Sequence, residues 1–461
     1  MLFNSFEFIF LFLPITFFIY FYLLNQNYQV GAKGFLVLSS LFFYSWWNIS
    51  YLPIILLSMF FNYRIAKKLN YRKNKILLTF GISANLLLLG YFKYVDFFIQ
   101  NINYFISDDI LLLDLALPLA ISFFTFQQIA YLIDSYRQET HEYDFLNYAL
   151  FVSFFPQLIA GPIVHHKEMM PQFANSVNLI RNNKNIIGGV LLFSIGLFKK
   201  VIIADSFAVW ATKGFDVSET LTFIEGWITS LSYTLQLYFD FSGYTDMAIG
   251  LALIFNIKLP INFNSPYKAK NIQDFWRRWH ITLSRFLRDY IYIPLGGSKA
   301  GDIRTYSNLM ITFILGGLWH GAGWTFIFWG FLHGFALITH KVWNHFGFKF
   351  NRFFAWFITF NFVNISWIFF RAKEWDDAIK VLSAMLDYSS FTYLSDSLSV
   401  IYVLIGLLIV LWSKNSHELS VILEKKSYHF YLILFLLFIS IFQINNMMVS
   451  SQTSEFLYFN F

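Results

Sequence analysis

Long apolar stretches recur from one end of this chain to the other, and they leave few folds open to it. A helix that crosses a bilayer needs roughly 20 consecutive and mainly apolar residues. Only 13% of the residues are charged and 57% are hydrophobic, whereas soluble domains carry about 25% charged residues. The sequence therefore predicts an all-α polytopic membrane protein with about 11 transmembrane helices. The apolar runs cover residues 8–24, 35–47, 51–61, 76–92, 117–133, 187–209, 228–255, 311–338, 353–370, 400–412 and 430–444.

The chain contains no cysteine, which excludes disulfides, thiolate metal sites, cysteine nucleophiles and palmitoylation. The first apolar segment lacks a basic leader and a small-residue cleavage site, which is typical of a retained transmembrane helix rather than a signal peptide. No internal repeat or low-complexity linker is evident. We therefore expect residues 1–461 to form a single membrane domain.

The charges of the short loops predict the orientation of the chain, because lysine and arginine accumulate on the cytoplasmic side. All charged residues in 62–75 are lysine or arginine, whereas all charged residues in 107–114 are aspartates. The first loop is thus expected in the cytoplasm and the second outside, which places the N-terminus outside. If Lys414, Lys425 and Lys426 are cytoplasmic, the C-terminus lies outside too. The same effect accounts for the net charge of +6, so we expect no nucleic-acid partner.

One apolar run, from Ile311 to Gly334, contains His320 near its middle, His333 near its end and several glycines. An ionisable side chain in hydrocarbon is costly and normally faces a protein interior or a watered cavity, where it often marks function. Hydrogen bonds between helices also recruit histidine. From this run alone, a packed structural histidine and a functional one both remain open.

The segment from Tyr267 to Thr305 is polar and basic. On a continuous helix, its spacing would place Arg277, His280, Ser284 and Arg288 on one polar stripe beside an apolar one. One interpretation, without a catalytic role, is an interfacial helix whose arginines contact lipid phosphates. The alternative is recognition of a phosphate-bearing substrate from the cytosol, because the arginine fork binds phosphate oxygens bidentately. The apolar stripe consists of Trp276, Trp279, Leu283 and Leu287.

Histidine suits proton transfer in such a site, since a neutral imidazole can take a proton from a hydroxyl that attacks a thioester. Metal binding is the rival role. His280, His320 and His333 lack neighbouring carboxylates in sequence and an HxxxH spacing, which predicts no metal site.

Several blocks of the sequence resemble the bacterial membrane-bound O-acyltransferases, in the branch that includes the alginate O-acetylation protein and the peptidoglycan O-acetyltransferase. The match runs from end to end. The blocks are FYSWWN (43–48), SFFTFQQIAYLID (122–134), FFPQLIAGPIV (154–164), YFDFSGYTDMAIG (238–250), NFNSPYKAKNIQDFWRRWHITLSRFLRDYIYIPLGG (262–297) and GGLWHGAGWTFIFWGFLHG (316–334).

The resemblance implies a ring of helices around a central tunnel, with short re-entrant and interfacial helices, and acetyl-coenzyme A as the acyl donor. It assigns His320 as the catalytic base, while His280 would orient the substrate or polarise the acyl carbonyl. His333 is expected to be structural, and His165 and His166 interfacial. The substrate- or cofactor-binding candidates are Arg277, Arg278, Arg285, Arg288, Trp319, Asp240, Ser242 and Asp246, of which the last three can equally be buried contacts between helices.

The C-terminal tail, residues 451–461, ends in FLYFNF. An aromatic membrane anchor is the bland interpretation. The tail also resembles the terminal FxYFxF pattern of this branch and of the small companion protein in teichoic-acid D-alanylation. That resemblance makes Tyr458 a candidate covalent acyl carrier, which would pass the acyl group to an extracytoplasmic SGNH-type acetyltransferase.

The expected function is therefore O-acetylation of an envelope polysaccharide across the bacterial cytoplasmic membrane. Abundant Phe, Ile, Asn and Lys indicate an AT-rich genome, which favours peptidoglycan over alginate. Alginate, another exopolysaccharide and D-alanyl export to teichoic acid remain alternatives within the same chemistry. A proton-coupled secondary transporter is the alternative from another class, because broken apolar spans also occur there.

Overall fold

The computed structural model describes residues 1–106, 110–140, 144–159, 161–299, 301–391, 397–423, 429–449 and 456–457. Regular structure within these ranges is helical throughout, which confirms the all-α prediction. Six helical segments in them are long and apolar enough to cross a membrane, and a bent pair, Ser397–Trp412 with Ser416–Leu423, would make a seventh. The chain is thus a polytopic membrane protein. The six segments are Glu7–Asn25, Ile49–Tyr71, Lys75–Lys93, Asn183–Val217, Arg352–Arg371 and Phe430–Met447.

The described residues group into two compact units, the first within residues 1–194 and 244–260. Its helices α3, α4 and α6 pack together, and α2 packs against α7. Buried amides join α3 to α4, where Asn62 and Asn85 exchange hydrogen bonds of 3.1 and 2.7 Å. The helices are α1 (Leu13–Asn25), α2 (Gln29–Ser45), α3 (Leu52–Tyr71), α4 (Lys75–Lys93), α5 (Val95–Asn103), α6 (Ile121–Tyr136), α7 (Phe145–Ser153), α8 (Phe155–Leu158), α9 (His166–Ala174) and the first part of α10 (Asn183–Phe198).

The second unit lies within residues 195–243 and 261–457, and it contains the basic segment and the histidine run. The long helix α12 (Phe223–Ile254) contributes residues to both units. A π-helical turn, Lys199–Ala204, follows α10 in the same candidate span. The other helices are α11 (Asp205–Thr212), α13 (Ile272–Trp276), α14 (Ile281–Leu287), α15 (Asp302–His320), α16 (Trp324–His345), α17 (Arg352–Arg371), α18 (Trp375–Leu386), α19 (Ser397–Trp412), α20 (Ser416–Leu423) and α21 (His429–Val449).

The histidine run does not form one continuous span, as its length had suggested, but a tight helical hairpin. α15 ends at His320 and α16 begins at Trp324. Two glycines permit the close approach of the helices: a Cβ atom on Gly317 would lie 2.2 Å from the Phe326 carbonyl oxygen, and one on Gly330 would lie 2.3 Å from that of Phe313. His320 therefore lies at the turn of a hairpin instead of mid-span.

The basic segment is also broken, so the prediction of one helix with a single polar stripe is wrong. His280 separates α13 from α14 and adopts a left-handed backbone conformation, with φ of 42°. Backbone hydrogen bonds to an upstream loop hold this turn, because Ile281 N–H donates to the Asn262 carbonyl and Asn264 N–H donates to that of Arg278. The apolar residues of the predicted stripe, Trp276, Trp279, Leu283 and Leu287, are all buried, as expected.

Candidate active site

The turn at His280 fixes both the position and the tautomer of its imidazole. Asn262 Oδ1 accepts hydrogen bonds from the backbone N–H of Thr282 at 3.2 Å and from its hydroxyl at 3.0 Å, and it lies 3.2 Å from His280 Nδ1. Because a backbone N–H can only donate, the Asn262 atom is the carbonyl oxygen. His280 Nδ1 therefore carries the proton and donates it, and in the neutral ring Nε2 carries the lone pair.

His320 lies in an aromatic cage at the end of α15 and is only 2% exposed. Its ring centroid lies 4.9 Å from that of Trp319, 5.2 Å from that of Trp329 and 5.0 Å from that of Phe370. The Trp319 ring also lies 6.3 Å from that of His280. The hairpin and the turn thus bring His280, Trp319 and His320, all predicted as site residues, into one buried cluster.

Both ring nitrogens of His333 form hydrogen bonds to neighbouring side chains. The indole N–H of Trp276 donates to Nδ1 at 3.2 Å. Nε2 must then carry the proton, and it donates to the Ser366 hydroxyl at 3.1 Å. That hydroxyl in turn donates to the Val363 carbonyl at 2.8 Å. These hydrogen bonds favour a structural role for His333, which is the role that the sequence predicts.

The four arginines of the basic segment are not equivalent. Arg278 pairs with Asp274 at 2.8 Å, and Arg288 pairs with Asp289 at 2.7 Å. The hydrogen bond to Asp289 raises the pKa of the Arg288 guanidinium. Arg285 is half-buried, whereas Arg277 is exposed and has no ion-pair partner within the described ranges. Within the described residues, Arg277 is thus a predicted phosphate contact that is both exposed and without an ion-pair partner.

Asp240 belongs to a buried charge cluster that the sequence prediction captured only in part. Its Oδ1 atom lies 2.6 Å from Lys200 Nζ, which also lies 2.9 Å from Asp205 Oδ1. Lys200 lies on the π-helical turn after α10 and is 3% exposed, while Asp240 is 1% exposed. Ser242, two residues further along α12, is buried, and its hydroxyl has no hydrogen-bond partner in the described part of the chain. Asp246 follows on the same helix, is half-buried and belongs to the first unit.

Lys200 and Asn262 are the residues that the sequence prediction missed. Two adjacent lysines inside the predicted span 187–209 were a usable signal, because a charge within an apolar span is expensive and usually has a partner or a function. Asn262 had no comparable signal, since an asparagine in a loop is ordinary and its contacts depend on the turn at His280.

Tyr458 lies outside the described residues, but the two residues before it are described. The backbone N–H of Leu457 donates to Asp240 Oδ2 at 3.1 Å. Phe456 is 2% exposed, and its ring centroid lies 5.8 Å from that of Phe241. Phe241 in turn contacts His280 edge-on at 4.8 Å. These contacts bring the start of the terminal hexapeptide next to the histidine cluster.

In the first unit, His165 and His166 lie with Asp134, and the possible ligand atoms of the three side chains are within 4.8 Å of one another. The Lys167 backbone N–H donates to His165 Nδ1 at 3.3 Å, so His165 Nε2 carries the proton and donates to Asp134 Oδ2 at 2.7 Å. A protonated ring nitrogen is not a metal ligand. Hydrogen bonding therefore accounts for the His165 contact. His166 is buried and His165 is half-buried.

A buried pair of histidines, with the tautomer of one fixed and the other enclosed by aromatic rings, is suited to proton transfer in a site from which water is excluded. Comparison with known proteins identifies the class of this chain. The model of the membrane-bound O-acyltransferase family matches residues 8–373. The chain belongs to this family and is an acyltransferase, as its resemblance to the family had indicated.

The curated relatives include enzymes that act on different polymers. A peptidoglycan O-acetyltransferase from Helicobacter pylori is 54% identical over 425 residues, which cover 84% of this chain and 80% of the relative. A probable alginate O-acetylase from Azotobacter vinelandii is 40% identical over 407 residues, covering 86% and 80%. A teichoic acid D-alanyltransferase from Bacillus subtilis is 28% identical over 275 residues, covering 55% and 69%.

Proposed function

We propose that this protein takes acetyl groups from acetyl-coenzyme A at the cytoplasmic face and passes them across the membrane for O-acetylation of peptidoglycan. The observation that carries the proposal is the buried cluster of His280, Trp319 and His320 in an established acyltransferase. The preference for peptidoglycan rests on the higher identity to the peptidoglycan enzyme than to the alginate enzyme.

In the proposed reaction, His320 acts as general base. The acceptor hydroxyl oxygen attacks the thioester carbonyl carbon, its proton moves to the imidazole, and the C–S bond breaks. The departing thiolate then takes the proton, so the base is regenerated. General-base assistance of this kind contributes about 10²- to 10⁴-fold in rate.

The fixed tautomer of His280 separates its two candidate roles. Polarising the acyl carbonyl would require a donor, but the Nδ1–H of His280 is directed at Asn262. The lone pair on Nε2 can accept a hydrogen bond from a hydroxyl. We therefore assign His280 to orienting the acceptor hydroxyl.

On the donor side, we propose that Arg277 contacts the phosphates of coenzyme A from the cytosol, supported by Arg278, Arg285 and Arg288. The exposure of Arg277, without an ion-pair partner among the described residues, supports this assignment. The orientation follows the basic residues at the end of α3 and in the connection to α4, which are expected in the cytoplasm; both termini then lie outside the bacterial cytoplasmic membrane.

On the acceptor side, we propose that the Tyr458 phenol receives the acetyl group and surrenders it to an extracytoplasmic SGNH-type acetyltransferase. The packing of Phe456 and Leu457 beside Phe241 and Asp240 supports this role.

Purified protein in vesicles, supplied with labelled acetyl-coenzyme A, tests the reaction directly. We expect release of coenzyme A and one acetyl group on the C-terminal peptide, detected by mass spectrometry. If no coenzyme A is released from acetyl-coenzyme A, the donor assignment is wrong. If the Tyr458→Phe variant exports acetyl groups normally, the carrier role of Tyr458 is wrong. Unchanged acetylation of muramic acid in a deletion strain would overturn the choice of peptidoglycan.

A further inference from the structure

The buried charges around Lys200 are expensive, and the histidine chemistry does not use them. Lys200 and Asp240 are each at most 3% exposed, and Lys200 lies within the candidate span Asn183–Val217. A buried ion pair is weak evidence for stability, because the cost of desolvating both charges can exceed their attraction. The buried ion pair of Lys200 and Asp240 therefore indicates a specific structural role other than general stabilisation.

The geometry of the Asp240 carboxylate indicates what that role is. One oxygen, Oδ1, faces the Lys200 ammonium, which Asp205 also contacts. The other oxygen, Oδ2, accepts the backbone N–H of Leu457. Lys200 thus compensates the charge of the Asp240 carboxylate at Oδ1, while Oδ2 of the same carboxylate binds the C-terminal segment. A hydrogen bond to an ionised acceptor is roughly twice as strong as one between neutral groups.

A second contact reinforces this arrangement. Phe456 is buried with its ring 5.8 Å from that of Phe241, which follows Asp240 on α12. The Asp240 carboxylate therefore binds the tail backbone at Leu457, and the Phe241 ring packs against the Phe456 side chain. The Phe241 ring also contacts His280, with the ring centroids 4.8 Å apart. The docked tail and the His280 imidazole thus contact the same phenylalanine ring.

We propose that Asp240 and Lys200 form a docking site for the backbone of the C-terminal segment and act as positioning residues for the residue that follows. Chain ends fray unless they are tied down, and a reacting group must be held within about an ångström of its productive place. Tyr458 directly follows the anchored Leu457 in the sequence. This inference rests on the proposed carrier role of Tyr458.

Removing the backbone donor at Leu457 tests the docking contact directly. Leu457→Pro deletes the N–H that Asp240 accepts, whereas Leu457→Ala shortens the side chain and retains the N–H. We expect Leu457→Pro to slow acetylation of the C-terminal peptide by about 10- to 100-fold and Leu457→Ala by much less. Equal rates for the two variants would overturn the positioning role.

A labelling experiment tests docking without any need for catalysis. Since the chain has no cysteine, Leu457→Cys introduces a single thiol and keeps the N–H. We expect a membrane-impermeant maleimide to label this thiol several-fold faster when Asp240→Ala or Asp240→Asn is added. Asp205→Asn is the matched control, because Asp205 contacts the same lysine, whereas Asp240 is the residue that accepts the Leu457 N–H.

The labelling result separates the two proposals. If Asp240 variants that elute as folded protein in detergent leave the labelling rate unchanged, the docking site is wrong, whatever the enzyme transfers. If labelling accelerates as expected but the parent protein transfers no acetyl group, docking stands and the proposed function fails.

Discussion

The Nδ1 atom of His280 lies 3.2 Å from the side-chain oxygen of Asn262, and this contact fixes the tautomer of a buried imidazole. We predict that Asn262→Ala slows acetyl transfer by about 10-fold or more, because the ring loses the partner that orients it. Initial rates in vesicles measure this loss. In a His280→Ala background the same substitution should cost little more, since the two residues act as a unit; full additivity would contradict the assignment.

His320→Ala is expected to reduce transfer by about 10²- to 10⁴-fold, the contribution of a general base. His340→Ala is the matched control, because His340 lies on the adjoining helix α16 and contacts Asn344 away from the cluster. Both rates are measured with labelled acetyl-coenzyme A. Full activity in the His320 variant would remove this residue from the mechanism.

His333 should affect stability rather than chemistry. His333→Ala leaves the buried Trp276 indole N–H without its acceptor, which costs about 1–3 kcal/mol, and removes one of the two hydrogen bonds of the Ser366 hydroxyl. We predict a lower midpoint of thermal unfolding in detergent and an unchanged rate per folded molecule. A normal unfolding midpoint combined with lost activity would contradict the structural role and indicate that His333 takes part in catalysis.

The α15–α16 hairpin should not tolerate a side chain at its closest point. We predict that Gly317→Ala lowers the unfolding midpoint strongly, because the added Cβ would meet a carbonyl oxygen at 2.2 Å and overpacking typically costs about 1–3 kcal/mol. Gly90→Ala on α4 is the control, since nothing lies within 4 Å of its Cβ position. A Gly317→Ala protein as stable as the control would contradict the packing of the hairpin.

Arg277 should contribute more to donor binding than Arg288, whose charge is already paired with Asp289. Arg277→Ala is predicted to raise KM for acetyl-coenzyme A several-fold with little change in kcat, since phosphate binding acts equally on ground and transition states. The effect should shrink at high salt. Equal KM values for the Arg277→Ala and Arg288→Ala variants would contradict the assignment.

The sequence was sufficient to predict the helical class and the residues of the cluster, because composition and motif identity do not depend on how the chain turns. The α15–α16 hairpin was harder to predict from the sequence. Its Gly321-Ala322-Gly323 stretch is a turn signal, but the uninterrupted apolar character around it favoured one long span.

The break at His280 could not have been predicted from local residues. The stretch WRRWHITLSRF contains neither glycine nor proline, and its periodicity fits a helix. The left-handed conformation is held by hydrogen bonds from the loop around Asn262 and Asn264. Tertiary contacts therefore overrode local preference, and these same contacts place His280 beside Trp319.

The end of α15 at His320 has an electrical consequence. The carbonyl groups of the last helical turn carry a partial negative charge, equivalent to roughly half an elementary charge. His320 is in that turn. In the proposed reaction, the imidazolium that forms when His320 accepts the hydroxyl proton would meet a favourable field worth about 0.3–2 kcal/mol. Because a helix ends at His320, the hairpin would supply a counter-charge to a protonated His320 without a carboxylate beside it.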